Sequence, residues 1–242
     1  MESSGIQMMM RVLLCIGMMF AWVAPASAEG SIEAMSFNIR LGVANDGGNH
    51  WKLRKDLVFG VLRDHKPDVV GMQEAWKFQV DEIQEAFPEY GLIGRSRQKE
   101  ADVGEWCPVL YLKAKYEVLD SGTFWLSDTP EKESSMNWGN KIPRICTWAR
   151  LKDKKSGRSF FVYNTHFDHQ SQPSREKSAV LCAKRIAGRK PAGDAAIFMG
   201  DLNAGEKNKA ITSLGKSLVD TYGKLFPNGE ERGTFGGWVG RK

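Results

Sequence analysis

Apolar positions along the chain switch between two spacings. Leu53, Leu57, Val58, Val61 and Leu62 recur at helical intervals, which predicts a helix over 51–64. Pro67 separates it from an apolar run at 68–73 that reads as a strand. Phe78, Ile83, Ala86 and Phe87 mark a second helix, ended by Pro88. A meander of strands follows at Tyr90–Ile93, Val109–Leu112, Tyr116–Leu119 and Thr147–Leu151. The last pairs through a Lys-Ser-Gly turn with Ser159–Thr165. Ser174 reads as the N-cap of a helix carrying Ala179, Val180, Ala183 and Ile186. An apolar strand at 195–199 and a short helix near 206–214 complete the pattern. The chain has no internal repeat at 20–50 residue spacing and no low-complexity linker, so one domain is expected. Helices between some strands and hairpins between others predict an α/β (α+β) core of two sheets with helices outside.

Four of the apolar strands end on polar groups. The strand at 34–40 carries Asn38, and the one at 68–73 runs into Glu74. The strand from Phe160 finishes in His166, Asp168 and His169, and the strand at 195–199 is followed by Gly200, Asp201 and Asn203. Residues two apart on extended backbone point to the same side, so Asp201 and Asn203 are aimed together. Ligands in α/β sheets bind beyond the carboxyl ends of strands. Polar strand ends gathered at one rim would build an active site. Each residue also has a plainer alternative: an Asx turn for Asp201 and Asn203, a turn-forming Asn38, a helix-start carboxylate for Glu74 and a structural His166.

The blocks SFNIR (Asn38), GMQE (Glu74), NTHFDH (His166) and GDLNA (Asp201, Asn203) together resemble the endonuclease/exonuclease/phosphatase superfamily of metal-dependent phosphoesterases. The runs Ser121–Ser127 and Pro143–Trp148 are most similar to its secreted bacterial members. The resemblance implies a four-layer α/β/β/α sandwich of two mixed sheets flanked by helices, with the site at one rim. It implies Mg²⁺ (or Mn²⁺) held by Glu74, with Asn38 at the metal or on the phosphate. It gives Asp201 the orientation and activation of a water, Asn203 the transferring phosphate, and His166 a hydrogen bond or proton to a phosphate oxygen. Tyr111 matches a family position whose hydroxyl can reach the phosphate, with core packing as the alternative. Arg40 and Arg175 would clamp substrate oxygens or, equally, each pair with an acid on the surface, with Asp168 and His169 on the substrate or behind it. The expected reaction is hydrolysis of phosphate esters by in-line attack of an activated water, with nuclease-like phosphodiester cleavage foremost. Phosphomonoesters, sphingomyelin-type lipids, or a non-catalytic phosphate- or nucleic-acid-binding role are the alternatives. Past Gly233-Thr234-Phe235 the family continues with Arg-Ile-Asp-aromatic-Ile and Ser-Asp-His strands that do not occur here. The expectation is therefore a domain over 29–242 lacking its last strands and of weakened activity.

Composition adds three points. The net charge of +5 is a mild basic excess that favours anionic substrates or surfaces without singling out nucleic acid. Arg11, the uncharged stretch Val12–Ala24 and Ala26-Ser27-Ala28 read as a signal peptide over 1–28, cleaved after Ala28, for a secreted or periplasmic protein. The stretch is too short for a membrane span, and a monomer is expected. Cys107, Cys146 and Cys182 follow it, an odd number read as buried free thiols, with no zinc spacing.

Overall fold

A computed structural model describes residues 31–227 together with Thr234 and Trp238. The predicted signal peptide, and Gly233, Phe235 and the chain end, lie outside the described residues. The elements in chain order are β1 (Ala34–Asn38), α1 (Trp51–His65), β2 (Val69–Gln73), α2 (Lys77–Ala86), β3 (Tyr90–Ile93), β4 (Val109–Leu112), β5 (Tyr116–Trp125), β6 (Ile145–Asp153), β7 (Ser159–His166), α3 (Gln172–Ala187), β8 (Ala195–Asp201), α4 (Lys209–Leu214) and α5 (Thr221–Leu225).

The strands form two mixed four-stranded sheets, ordered β1-β2-β4-β3 and β5-β6-β7-β8. Each contains one parallel pair, β1 with β2 and β7 with β8. The remaining pairings are antiparallel. Side chains alternate between the two faces of each strand. On β7, Phe160 and Val162 point between the sheets, where they meet Val69, Val109 and Met199. Phe161 and Tyr163 point outward and are covered by Ala179, Cys182 and Ile186 of α3 and by Leu214 of α4. On β2, Val70 and Met72 likewise face α1 and α2 through Val58, Leu62, Val80 and Ile83. The result is the four-layer α/β/β/α sandwich with two sheets flanked by helices.

The sheets approach closely at Gly71, where a Cβ would meet Met199 Sδ at 2.6 Å and Asn164 Cγ at 2.7 Å. Beside it, Gln73 Nε2 donates to Asn164 Oδ1 (2.7 Å), and Asn164 Nδ2 donates to the Met72 and Pro108 carbonyls (2.7 and 2.9 Å). These buried amides satisfy one another and hold one sheet in register with the other.

Several expectations are corrected. β5 runs on to Trp125, past Leu119, through a register shift between Val118 and Asp120. The polar run Asp120-Ser121-Gly122 breaks the apolar pattern there without ending the strand. Ser171, not Ser174, caps α3, its Oγ accepting from Ser174 N (3.2 Å). Leu53 and Leu57 are 69% and 72% exposed; the covered face of α1 is Trp51, Arg54, Val58, Phe59 and Leu62. The short helix predicted from 206 starts at Lys209. Cys107, Cys146 and Cys182 are buried and free. Burial pushes the Cys107 thiol up to about 12, which makes it inert.

Candidate active site

The two parallel pairs carry the polar strand ends to one place. Asn38 closes β1, Glu74 follows β2, His166 closes β7, and Asp201 closes β8 in register with it. Asn38 Nδ2 donates to both Glu74 Oε1 and Asp201 Oδ2, each at 2.9 Å. One amide therefore clamps carboxylates from opposite sheets. Asn38 Oδ1 is turned the other way and accepts from Arg40 N (2.9 Å). Glu74 Oε2 accepts from Leu41 N (3.0 Å), and Asp201 Oδ1 accepts from Asn203 N (3.0 Å).

Backbone strain concentrates here. Arg40, Glu74 and Asn203 have φ of 54°, 59° and 47°, a left-handed conformation uncommon outside glycine. Gly200, before Asp201, has φ 149°, and a Cβ there would meet Thr165 O at 2.1 Å. Only glycine lets β8 hold Asp201 against β7.

His166 is buried at the junction. Asn203 Nδ2 lies 2.9 Å from His166 Nε2 and 3.0 Å from Phe167 O. The carbonyl can only accept, so the Asn203 nitrogen donates to both, and His166 Nε2 is an acceptor. The ring proton then sits on Nδ1, 3.6 Å from Glu105 Oε2, longer than a hydrogen bond but within ion-pair reach. Glu105 is buried and also accepts from Arg97 Nη1 (2.8 Å). Burial works to raise its carboxyl, but the contacts with His166 and Arg97, with Arg144 nearby, pull it down to about 2.

Ligand atoms of Glu74, His166 and Asp201 lie within 4.8 Å of one another. Carboxylates converging on one point repel, and a cation between them would offset that. Two carboxylates and one imidazole fit a hard divalent ion such as Mg²⁺ or Mn²⁺, whereas Asn38, predicted at the metal, turns its Nδ2 donor to the carboxylates and its Oδ1 away.

A cleft of about 330 Å³ opens over this cluster. Arg40, Glu74, His166 and Asn203 line it, as do Arg144 and His169. Arg40 is held by Asp46 (2.9 Å) and lies 3.6 Å from Glu74. Three other predicted residues, Tyr111, Arg175 and Asp168, do not line the cleft. Tyr111 pairs with Val69, at the far end of β2 and about 16 Å of strand from Glu74. Its ring packs toward the core between the sheets, over Gly91. Arg175 donates to the Asp168 carbonyl (2.8 Å) and to Gln172 Oε1 (2.8 Å), bracing the loop before α3. Asp168 is itself buried and takes up Arg144 and the N–H groups of Gln170 and Ser171. Glu105, Arg97 and Arg144 escaped sequence reasoning. Glu105 and Arg97 sit in aperiodic loop between β3 and β4, and Arg144 lies just before an apolar strand.

The endonuclease/exonuclease/phosphatase family pattern matches residues 35–238, and the chain belongs to that family. It is similar to the crystal structure of an endonuclease/exonuclease/phosphatase from Bacteroides vulgatus, 39% identical with a TM-score of 0.73, covering 76% of this chain and 70% of that one. It is also similar to the Bacteroides thetaiotaomicron mannosyl-6-phosphatase Bt3783, 31% identical with a TM-score of 0.73, covering 77% and 70%. Among curated proteins it resembles uncharacterized protein L388 of Acanthamoeba polyphaga mimivirus, 29% identical over 170 residues, which are 65% of this chain. The matched region spans 60% of that relative's length.

Proposed function

We propose that this protein hydrolyses phosphate esters with the aid of a divalent metal, by in-line attack of a water. The observation that carries the reading is the Asn38 clamp, which brings Glu74 and Asp201 from different sheets together beside His166. Glu74 and Asp201 would hold Mg²⁺ or Mn²⁺, with His166 adjoining. When bound, the ion would neutralise charge on the phosphate oxygens and lower the barrier to attack. Asp201 would accept the proton of the attacking water. Asn203, held by Phe167 O, would exchange its bond to His166 Nε2 for one to a phosphate oxygen, which frees Nε2. His166 Nε2 would meet the reacting group, with the Glu105 carboxylate behind Nδ1 stabilising positive charge that develops on the ring. Arg40 would face a phosphate oxygen from the rim.

The leader-like residues 1–28 support export to the periplasm or exterior, with the family domain following from residue 29. Among the described residues no helix is long and apolar enough to cross a membrane.

The test is phosphate or phenolate release from aryl phosphate mono- and diesters by the full chain, with Mg²⁺, Mn²⁺ or chelator. Metal-dependent turnover that falls at least about 100-fold in Glu74→Ala is expected. Turnover insensitive to chelator, or equal in the variant, would overturn the reading.

A further inference from the structure

Part of the cleft wall is not accounted for by the metal-proximal cluster. Arg144, His169 and Ile142 line the same cleft as Glu74 and His166. Arg144 is a built feature: it is only 2% exposed, and its Nε lies 3.3 Å from Asp168 Oδ2. Asp168 is in turn fixed by the N–H groups of Gln170 (3.0 Å) and Ser171 (2.7 Å). Arg144 Nη2 lies 2.8 Å from His169 Nδ1. A guanidinium can only donate, so His169 Nδ1 accepts and the ring carries its proton on Nε2. His169 is exposed, so a buried, anchored arginine sets the tautomer and tilt of a ring at the mouth of the cleft.

The rest of the lining narrows what that ring can read. Among the described residues no Phe, Tyr or Trp lines the cleft. Proteins that bind single-stranded nucleic acid characteristically stack bases on such rings and follow the backbone with free cations. Here the arginines around the site are engaged: Arg40 with Asp46, Arg97 with Glu105, Arg144 with Asp168. The volume of about 330 Å³ is at the small end of ligand pockets. Hydrogen-bond donors beside two aliphatic residues, Leu41 and Ile142, suit a compact alcohol with hydroxyls on one face and C–H groups on the other.

We propose that His169 is the specificity-determining residue of the leaving-group side of this cleft. Its Nε2–H donates to a hydroxyl oxygen of a sugar phosphate, a phosphomonoester of a polyhydroxylated alcohol, with Arg144 as the positioning residue. This rests on the phosphoesterase reading above and adds its substrate class.

The experiment compares kcat/KM of the full chain with Mn²⁺ for a hexose 6-phosphate, phenyl phosphate and a thymidine dinucleotide. The wild type is expected to prefer the hexose phosphate to both others. His169→Ala, at an exposed position, should lower the hexose-to-phenyl ratio about tenfold, mainly through KM. His169→Gln, which keeps an N–H donor, should restore part of it. Arg144→Lys should lower the same ratio, and the double variant with His169→Ala should fall no further. An unchanged ratio in His169→Ala, or a dinucleotide cleaved as well as the hexose phosphate, would overturn the proposal and leave the phosphoesterase reading standing. Absence of metal-dependent turnover on all three substrates would instead overturn that reading, and this proposal with it.

Discussion

The parallel pairs and the antiparallel strands of this sandwich use the same apolar alternation for different ends. β1, β2, β7 and β8 each lead to a polar residue at the same rim, where Asn38, Glu74, His166 and Asp201 meet. β3, β4, β5 and β6 turn back on themselves in antiparallel pairs and supply core. Tyr111 illustrates the second group: a polar-tipped side chain on β4 that faces the sheet-to-sheet interior rather than the rim. Parallel neighbours end together, so their terminal side chains can converge. Antiparallel neighbours present their C-terminal ends at opposite edges. Strand direction, not polarity alone, decides which residues can share a site.

The sharpest way to break that contrast is to change one rim carboxylate. Asp201→Asn removes the proposed base and a ligand, and turnover should fall by about 10²–10⁴ while the melting temperature stays close to wild type. Steady-state kinetics beside thermal melting separates the two effects. On the core side, Phe161→Ala empties a buried ring site under α3. It should lower unfolding free energy by about 3–5 kcal/mol, with kcat per folded molecule little changed; urea titration measures this. Glu105 lies between the two cases. Its folded carboxyl sits at about 2 against an ordinary 4.5, so it favours folding above about pH 4.5 and that contribution is lost as pH falls toward 2. The difference corresponds to about 3 kcal/mol. Stability against pH should show this acid limb in the wild type and a flatter one in Glu105→Gln. The smallest effect is expected at Leu57→Lys, on the exposed side of α1, within about 0.5 kcal/mol by the same titration.

Much of the architecture was legible because apolar spacing and helix breakers act locally. The helix at 51–64 and the strands at Tyr90–Ile93 and Val109–Leu112 match the structure within a residue. Leu53 and Leu57 misled because they share the helical period yet lie on its outer flank, while Trp51 and Arg54 are covered. At the site, Asn38, Glu74, His166, Asp201 and Asn203 announced themselves as polar groups after apolar strands. Glu105 could not, because its role comes from a loop folded against His166 with no period of its own. Arg144 and His169 lie 25 positions apart and meet only through the β6–β7 hairpin and the turn that follows it. Contacts made by tertiary folding leave no local signature in the chain.

The central claim, that four strand ends from two sheets assemble one divalent-ion site, is tested most directly by Mn²⁺ binding to the full chain followed by electron paramagnetic resonance. The account predicts a saturable site that is strongly weakened in both Glu74→Ala and Asp201→Asn, residues that reach the cluster from different sheets. Binding that is undiminished in both variants, or lost in only one of them, would contradict it.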